Sequence, residues 1–220
     1  MPTKVQIYLN SAEDAAAASA AGADFIGVAT DTGKYVSWWV PYAEAKAAFD
    51  AAGPACTHVA LTVATDLAEI AELLDATRPD VVHLAGAIIP LERVAALRAA
   101  RPEVKIMQAI PMNDPGPVEM ALAYQQVCDY FLLDTNDPND NYIGATGRTH
   151  DWSISAELVR RVRIPVILAG GLMPETVAGA IRTVRPWGVD SYSHTNYTDR
   201  PHVKDPAKVR AFVAAAKGAW

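Results

Sequence analysis

The stretch Pro165-Val-Ile-Leu-Ala-Gly-Gly-Leu-Met-Pro-Glu-Thr-Val-Ala-Gly-Ala-Ile181 decides how the rest of the chain is read. Val166 to Ala169 is a short, wholly apolar run, the pattern of a parallel strand buried on both faces. Gly170-Gly171 breaks it, and Pro174-Glu175 sits where the first turn of a helix is expected. Helical spacing follows in Val177, Ile181 and Val184. A glycine pair between a buried strand and a helix start lets backbone N–H groups approach an anion closely. A tight turn without a ligand fits the pair equally well. The next run, Gly188-Val-Asp-Ser-Tyr-Ser-His194, reads as a further strand ending in hydroxyls. Loops after the last two strands of a (β/α)8 barrel form its usual phosphate site, which predicts six earlier strand–helix units.

The chain supplies them. Val5–Leu9, Phe25–Val28, His58–Val63, Val81–Leu84, Lys105–Ile110 and Tyr130–Asp134 are apolar strand-like runs. Between them lie an Ala-rich segment capped by Asn10 or Ser11, then segments from about Tyr42 to Ala52, Leu67 to Ala76 and Leu91 to Ala100. Two more run from about Pro117 to Val127 and Ser155 to Val162, and a last helix starts at Lys204-Asp205-Pro206 and ends near Lys217. Eight strands alternating with eight helices and no linker composition give one α/β domain, a single (β/α)8 TIM barrel over residues 1–220.

The 220 residues carry a net charge of −6 and no basic block, which argues against a nucleic-acid partner. No apolar run is long enough for a membrane span or a signal peptide, so the expectation is a cytoplasmic protein without a membrane partner. Cys56 and Cys128 lack metal or redox spacing and read as reduced core thiols. His83 and His194, with Asp134 or Asp190, lack the local spacing of a metal site, and His58, His150 and His202 read as surface or satisfied core residues. Neither a metal nor a cofactor is expected. The strand lysines Lys4 and Lys105 stand at strand starts, away from the end where barrel chemistry sits, which argues against a Schiff-base enzyme. Trp38 and Trp39 suit a lid or an oligomer contact, with plain hydrophobic packing the simpler account.

Several motifs resemble the phosphoribosylanthranilate isomerase family of tryptophan biosynthesis. They are Phe131-Leu-Leu-Asp-Thr135, Gly144-Ala-Thr-Gly147 with Asp151-Trp152, and Leu168-Ala-Gly-Gly-Leu172 with Pro174-Glu175. Arg185-Pro-Trp-Gly-Val-Asp190 and Val203-Lys-Asp205 continue the match, with weaker echoes at Tyr35-Val-Ser37 and Val82-His-Leu-Ala-Gly86. The resemblance implies an Amadori rearrangement, turning a phosphorylated aminoaldose into an aminoketose. In it an acid protonates the ribose ring oxygen and a base removes the C2′ proton. It implies Asp134 as the acid, and Gly144, Gly147, Gly170, Gly171, Ser193 and His194 as the phosphate site. The partner implied is a small phosphorylated substrate, bound by a monomer or homodimer.

Departures cluster at the same mouth. Where the family has Lys-Ile-Cys, with the cysteine as base, this chain has Gln6-Ile7-Tyr8. A phenol is a poorer base than a thiol by roughly 1.5 pKa units, or about 2 kcal/mol, in equal surroundings. Tyr8 is the candidate second catalytic residue, as acid, weakly activated base or packing group. Lys34 replaces a substrate-facing arginine and keeps charge without the bidentate fork. Gln108 stands for a lysine, His83 for a glutamine, and Tyr192-Ser193-His194 for Ser-Ser-Gly. Strand alternation places Tyr8, Gln108, Asp134, Asp190 and Tyr192 toward the barrel interior, making Lys34, His83, Gln108 and Asp190 candidate substrate contacts. These changes predict altered substrate preference and weak turnover of phosphoribosylanthranilate. A lyase or epimerase using Tyr8, His83 and Asp134, and a non-catalytic phosphosugar-binding protein, stay open as alternatives.

Overall fold

The computed structural model describes residues 2–31, 33–34, 39–136, 143–144 and 148–220. Its strands are β1 (Lys4–Leu9), β2 (Phe25–Ala29), β3 (Thr57–Thr62), β4 (Val81–Leu84), β5 (Lys105–Pro111), β6 (Tyr130–Asp134), β7 (Val166–Leu168) and β8 (Gly188–Ser191). All pair in parallel, and β8 returns to β1 to close the barrel. The helices between and after them are α1 (Ala12–Ala20), α2 (Tyr42–Ala52), α3 (Leu67–Thr77), α4 (Leu91–Ala100), α5 (Pro117–Tyr124), α6 (Trp152–Arg161), α7 (Val177–Val184) and α8 (Pro206–Lys217). The single-domain TIM barrel is therefore as expected.

Local chemistry sets many helix starts. Ser11, Asp66, Asp151 and Asp205 each accept a hydrogen bond from a first-turn amide, satisfying donors that a helix leaves open. Helix α5 ends at Tyr124 rather than near Val127, and two helix starts differ from expectation. Helix α6 begins at Trp152, because Asp151 rather than a later residue caps it. Helix α7 begins at Val177, with Pro174–Thr176 forming a separate turn in which Thr176 Oγ1 accepts from the Met173 amide at 3.1 Å.

Every strand has one face toward the helices and one toward the barrel axis. Val5, Ile7 and Leu9, for example, pack outward with the helix layer, while Tyr8 belongs to the interior cluster. At the N-terminal end Phe25 and Tyr130, from opposite strands, meet Trp187 edge-on or tilted at centroid distances of 5.5–5.9 Å. This aromatic plug fills the bottom of the barrel and leaves the C-terminal end as its open mouth.

Candidate active site

Period-two alternation carries five polar side chains into the upper barrel: Gln6 and Tyr8 on β1, His83 on β4, Asp134 closing β6 and Asp190 on β8. Two cavities open there. The larger, about 530 Å³ of open space, is lined by Tyr8, His83, Asp134 and Asp190. Apolar side chains complete much of its lining, from Ala29, Trp39, Leu61, Leu132 and Ile143. The second, about 300 Å³, is bounded by Gly170, Gly171, Ser193 and His194. Asp134, Asp190 and Tyr192 belong to both.

Tyr8 does not point freely into the mouth. Its ring lies on the backbone of Gly27, its register partner on β2, where an added Cβ would stand 2.5 Å from the ring. The hydroxyl reaches past β3 to His83 Nδ1 at 2.6 Å. Burial, then repulsion by Asp190 and Asp134, raises the Tyr8 hydroxyl well above its usual value, with Gln6 opposing. Burial pushes His83 down to about 3, so the imidazole is neutral. The phenol keeps its proton and shares one hydrogen bond with Nδ1, its donor set by the imidazole tautomer, while the buried Nε2 has no partner among the described residues. Tyr8 and His83 form a neutral strut across the β1–β4 side of the mouth.

The carboxyls behave differently. Burial raises Asp134 to about 7 although its Oδ1 accepts the Thr135 amide at 2.7 Å. Burial, then the charge of Asp134, raises Asp190 to about 8. Since the repulsion acts on both, these values belong to the pair. Near neutrality the pair is therefore not fully ionised. Gly144 and Gly170 make the space: a Cβ on either would stand 2.8 Å and 3.3 Å from an Asp134 oxygen, and both backbones have positive φ, +109° and +85°. Gln6 lies beneath Asp190 and Tyr8, close enough to influence both but without a hydrogen bond of good geometry.

Linkage turns these shifts into a stability prediction. A carboxyl whose folded pKa exceeds its unfolded value of about 3.9 loses stability as pH rises between the two values. For this pair the window runs from near 4 up to about 7 and 8. Asp134→Asn, which mimics the protonated form, should leave the melting temperature near wild type at about pH 3.5 and raise it by several degrees at pH 8. Melting curves at the two pH values check this; an equal shift at both would mean that Asp134 ionises normally.

Some expected site residues stand elsewhere. Gln108 shares the outward face of β5 with Ile106 and Ile110, while Met107 and Ala109 face inward; its amide donates to the Leu84 and Ala109 carbonyls. It is not at the mouth. Lys34 is exposed, pairs with Glu69 on α3 and lines neither cavity. Gly144 was expected at phosphate, but its N–H is used by the Thr135 carbonyl at 2.7 Å, and it lies in the larger cavity against Asp134. Gly147, Tyr35–Ser37 and Trp38 lie outside the described residues. Gly170, Gly171, Ser193 and His194 are brought together as expected. Burial holds His150 down to about 4; its Nε2 is 2.8 Å from Ser155 Oγ, whereas its buried Nδ1 is not satisfied among the described residues.

Other residues were not foreseen. Trp39 is buried and lines the larger cavity instead of standing at the surface. Lys204 is 1 % exposed, and its ammonium donates to the Tyr192 carbonyl at 2.7 Å, Thr195 Oγ1 at 3.1 Å and Asn196 Oδ1 at 2.6 Å. It fastens the 3₁₀ turn Ser193–Thr195 from below. Burial lowers it to about 7, with Asp190 and Asp14 opposing. Tyr192 is held by Asn10 Oδ1 at 3.1 Å and His202 Nδ1 at 2.5 Å.

A barrel whose last two loops form one pocket, beside paired buried carboxyls at the strand ends, has the layout in which barrel enzymes hold a ligand next to acid–base groups. Comparison with known proteins makes the class specific. The sequence profile described as N-(5'phosphoribosyl)anthranilate (PRA) isomerase matches residues 6–215. The N-(5'-phosphoribosyl)anthranilate isomerase of Haloferax volcanii is 39% identical over 206 residues, covering 94% of this chain and 89% of its own. A second such isomerase, from Methanosarcina mazei, is 36% identical over 93% of this chain and 89% of its own. The phosphoribosyl anthranilate isomerase structure from Thermotoga maritima superposes with a TM-score of 0.81 at 28% identity, covering 98% of this chain and 99% of that one. A structure of such an enzyme in complex with reduced 1-(o-carboxyphenylamino)-1-deoxyribulose 5-phosphate superposes at 0.79, with 26% identity and coverage of 98% and 99%. This chain belongs to the PRA isomerase family, and it is a PRA isomerase-like enzyme. Among the described residues no helix is long and apolar enough to cross a membrane.

Proposed function

We propose that the barrel rearranges an N-aryl aminoribose 5-phosphate to the corresponding aminoketose. The observation that carries this reading is the pair of cavities joined at Asp134 and Asp190. The smaller offers a glycine turn and hydroxyls to a phosphate. The larger offers an apolar wall to an aromatic ring, and the sugar lies between, against the carboxyls. Asp134 in its protonated form gives a proton to the ring oxygen, opening the furanose to a C1=N⁺ iminium. Loss of the C2 proton and return of a proton to C1 complete the isomerisation without net consumption of anything.

The family comparisons favour this over a lyase, an epimerase or a non-catalytic protein. An anthranilate carboxylate, however, meets no lysine or arginine in the described lining of the larger cavity, and Lys34 is committed to Glu69. Phosphoribosylanthranilate should therefore be turned over, but below the enzyme median of about 10 per second. Loss of substrate fluorescence measures the rate, and inorganic phosphate should compete. Binding of the reduced product analogue without any turnover would remove the isomerase reading.

A further inference from the structure

We propose that Asp190 takes the proton from C2, the task the missing thiol leaves open. The inference rests on the isomerisation reading and adds the second proton-transfer group. Five titratable side chains line the larger cavity among the described residues: Tyr8, His83, Asp134, Asp190 and Tyr192. Tyr8 and His83 share a 2.6 Å hydrogen bond, and burial holds the imidazole down to about 3, which leaves it a far weaker base next to a sugar than either carboxylate. Tyr192 is tied to Asn10 and His202 on the far side of its ring. Asp134 must enter the cycle protonated; in that form it no longer repels Asp190, whose ionisation Lys204 favours, so the reactive form carries its proton on Asp134 and its charge on Asp190. Asp190 remains.

Its placement suits the role. Asp190 is 6 % exposed and belongs to both cavities, so it stands where a phosphate-anchored ribose crosses from one to the other. Its Oδ1 is buried without a hydrogen-bond partner. Beneath it lies the neutral Gln6 amide, at a position where the resembling family carries a lysine. A lysine there would bind the carboxylate and weaken it as a base, whereas an amide does not neutralise it. The groups facing Asp190 are Gln6 and Tyr8 on β1, Asp134 on β6, the Ser191 amide and, from below, the Lys204 ammonium. Asp134 opposes its ionisation and Lys204 favours it.

Atoms balance along the path. After Asp134 has protonated the ring oxygen, the C2 proton passes to an Asp190 oxygen. The C2–H electron pair becomes a C1=C2 bond, and the iminium pair returns to nitrogen. The C2 hydroxyl then passes its proton to the Asp134 carboxylate as C1 gains the one Asp190 returns, so a ketone stands at C2 and both carboxyls regain their starting states.

Asp190→Asn should lower phosphoribosylanthranilate turnover by roughly 100-fold or more while binding of the reduced product analogue stays within about threefold of wild type. Unlike Asp134→Asn, it should still open the ring, so cyanoborohydride should trap the open-chain iminium as a secondary amine. Formate should restore part of the activity of Asp190→Ala, which also separates lost chemistry from a damaged fold. Turnover near wild type in Asp190→Asn, or a loss in Tyr8→Phe as large as that in Asp190→Asn, overturns the assignment. A wild-type chain that binds the analogue but does not convert phosphoribosylanthranilate overturns both this inference and the isomerase reading.

Discussion

Asp134→Asn should cost roughly 100-fold or more in turnover with little change in affinity for the reduced product analogue. The substitution keeps the volume between Gly144 and Gly170, where a Cβ would nearly touch an Asp134 oxygen, so the pocket should hold its shape. It removes the one proton that burial keeps on the carboxyl up to about pH 7. Single-turnover and binding measurements separate the two effects. A variant with lost affinity and intact turnover would make Asp134 a positioning group and send the search for the acid to Asp190. The same substitution should also flatten the basic limb of the pH–rate profile, which falls as the acid loses its proton, and move the acidic limb down, since Asp190 is freed from the repulsion of Asp134.

The barrel and the ends of most of its elements were legible because buried strands and capped helices leave local marks. Val81–Leu84 is read at its observed limits, and Asp205 announces α8. The face of a strand is harder. In Lys105–Pro111 the central residues are buried on both sides, so the run has no polar–apolar alternation to set its phase, and Gln108 was placed on the wrong side. Glycines posed a second difficulty. The sequence shows that Gly144 allows an unusual backbone, but only the fold shows that its amide is already bonded. Lys204 was read as part of a motif, yet nothing local marks a lysine whose three acceptors lie on a turn eight to twelve residues upstream. The apolar wall from Trp39 and Ile143 comes from loops, where periodicity carries no information.

Gly27→Ala should destabilise the fold by about 1–3 kcal/mol, lowering the melting temperature by roughly 2–4 °C per kcal/mol. The new methyl would fall 2.5 Å from the Tyr8 ring, which is held at its other end by His83. In a Tyr8→Ala background the same change should cost far less, a coupling of about 1 kcal/mol or more between the two sites. Chemical unfolding of the four proteins in the cycle measures it. Additive effects would show that the ring slides aside freely and that the strut is no strut.

Lys204 has a consequence for how long a bound anion stays. The cation closest to the Ser193–Thr195 turn faces away from any guest, its three protons held by acceptors of the protein itself. Among the described residues the smaller cavity is lined by no lysine or arginine. A phosphate seated there is gripped by dipoles in front of a distant charge, beside two carboxyls that gain when it departs. On the proposed reading such a grip would orient more than it retains, favouring quick release of a phosphorylated product and leaving free phosphate a weak competitor.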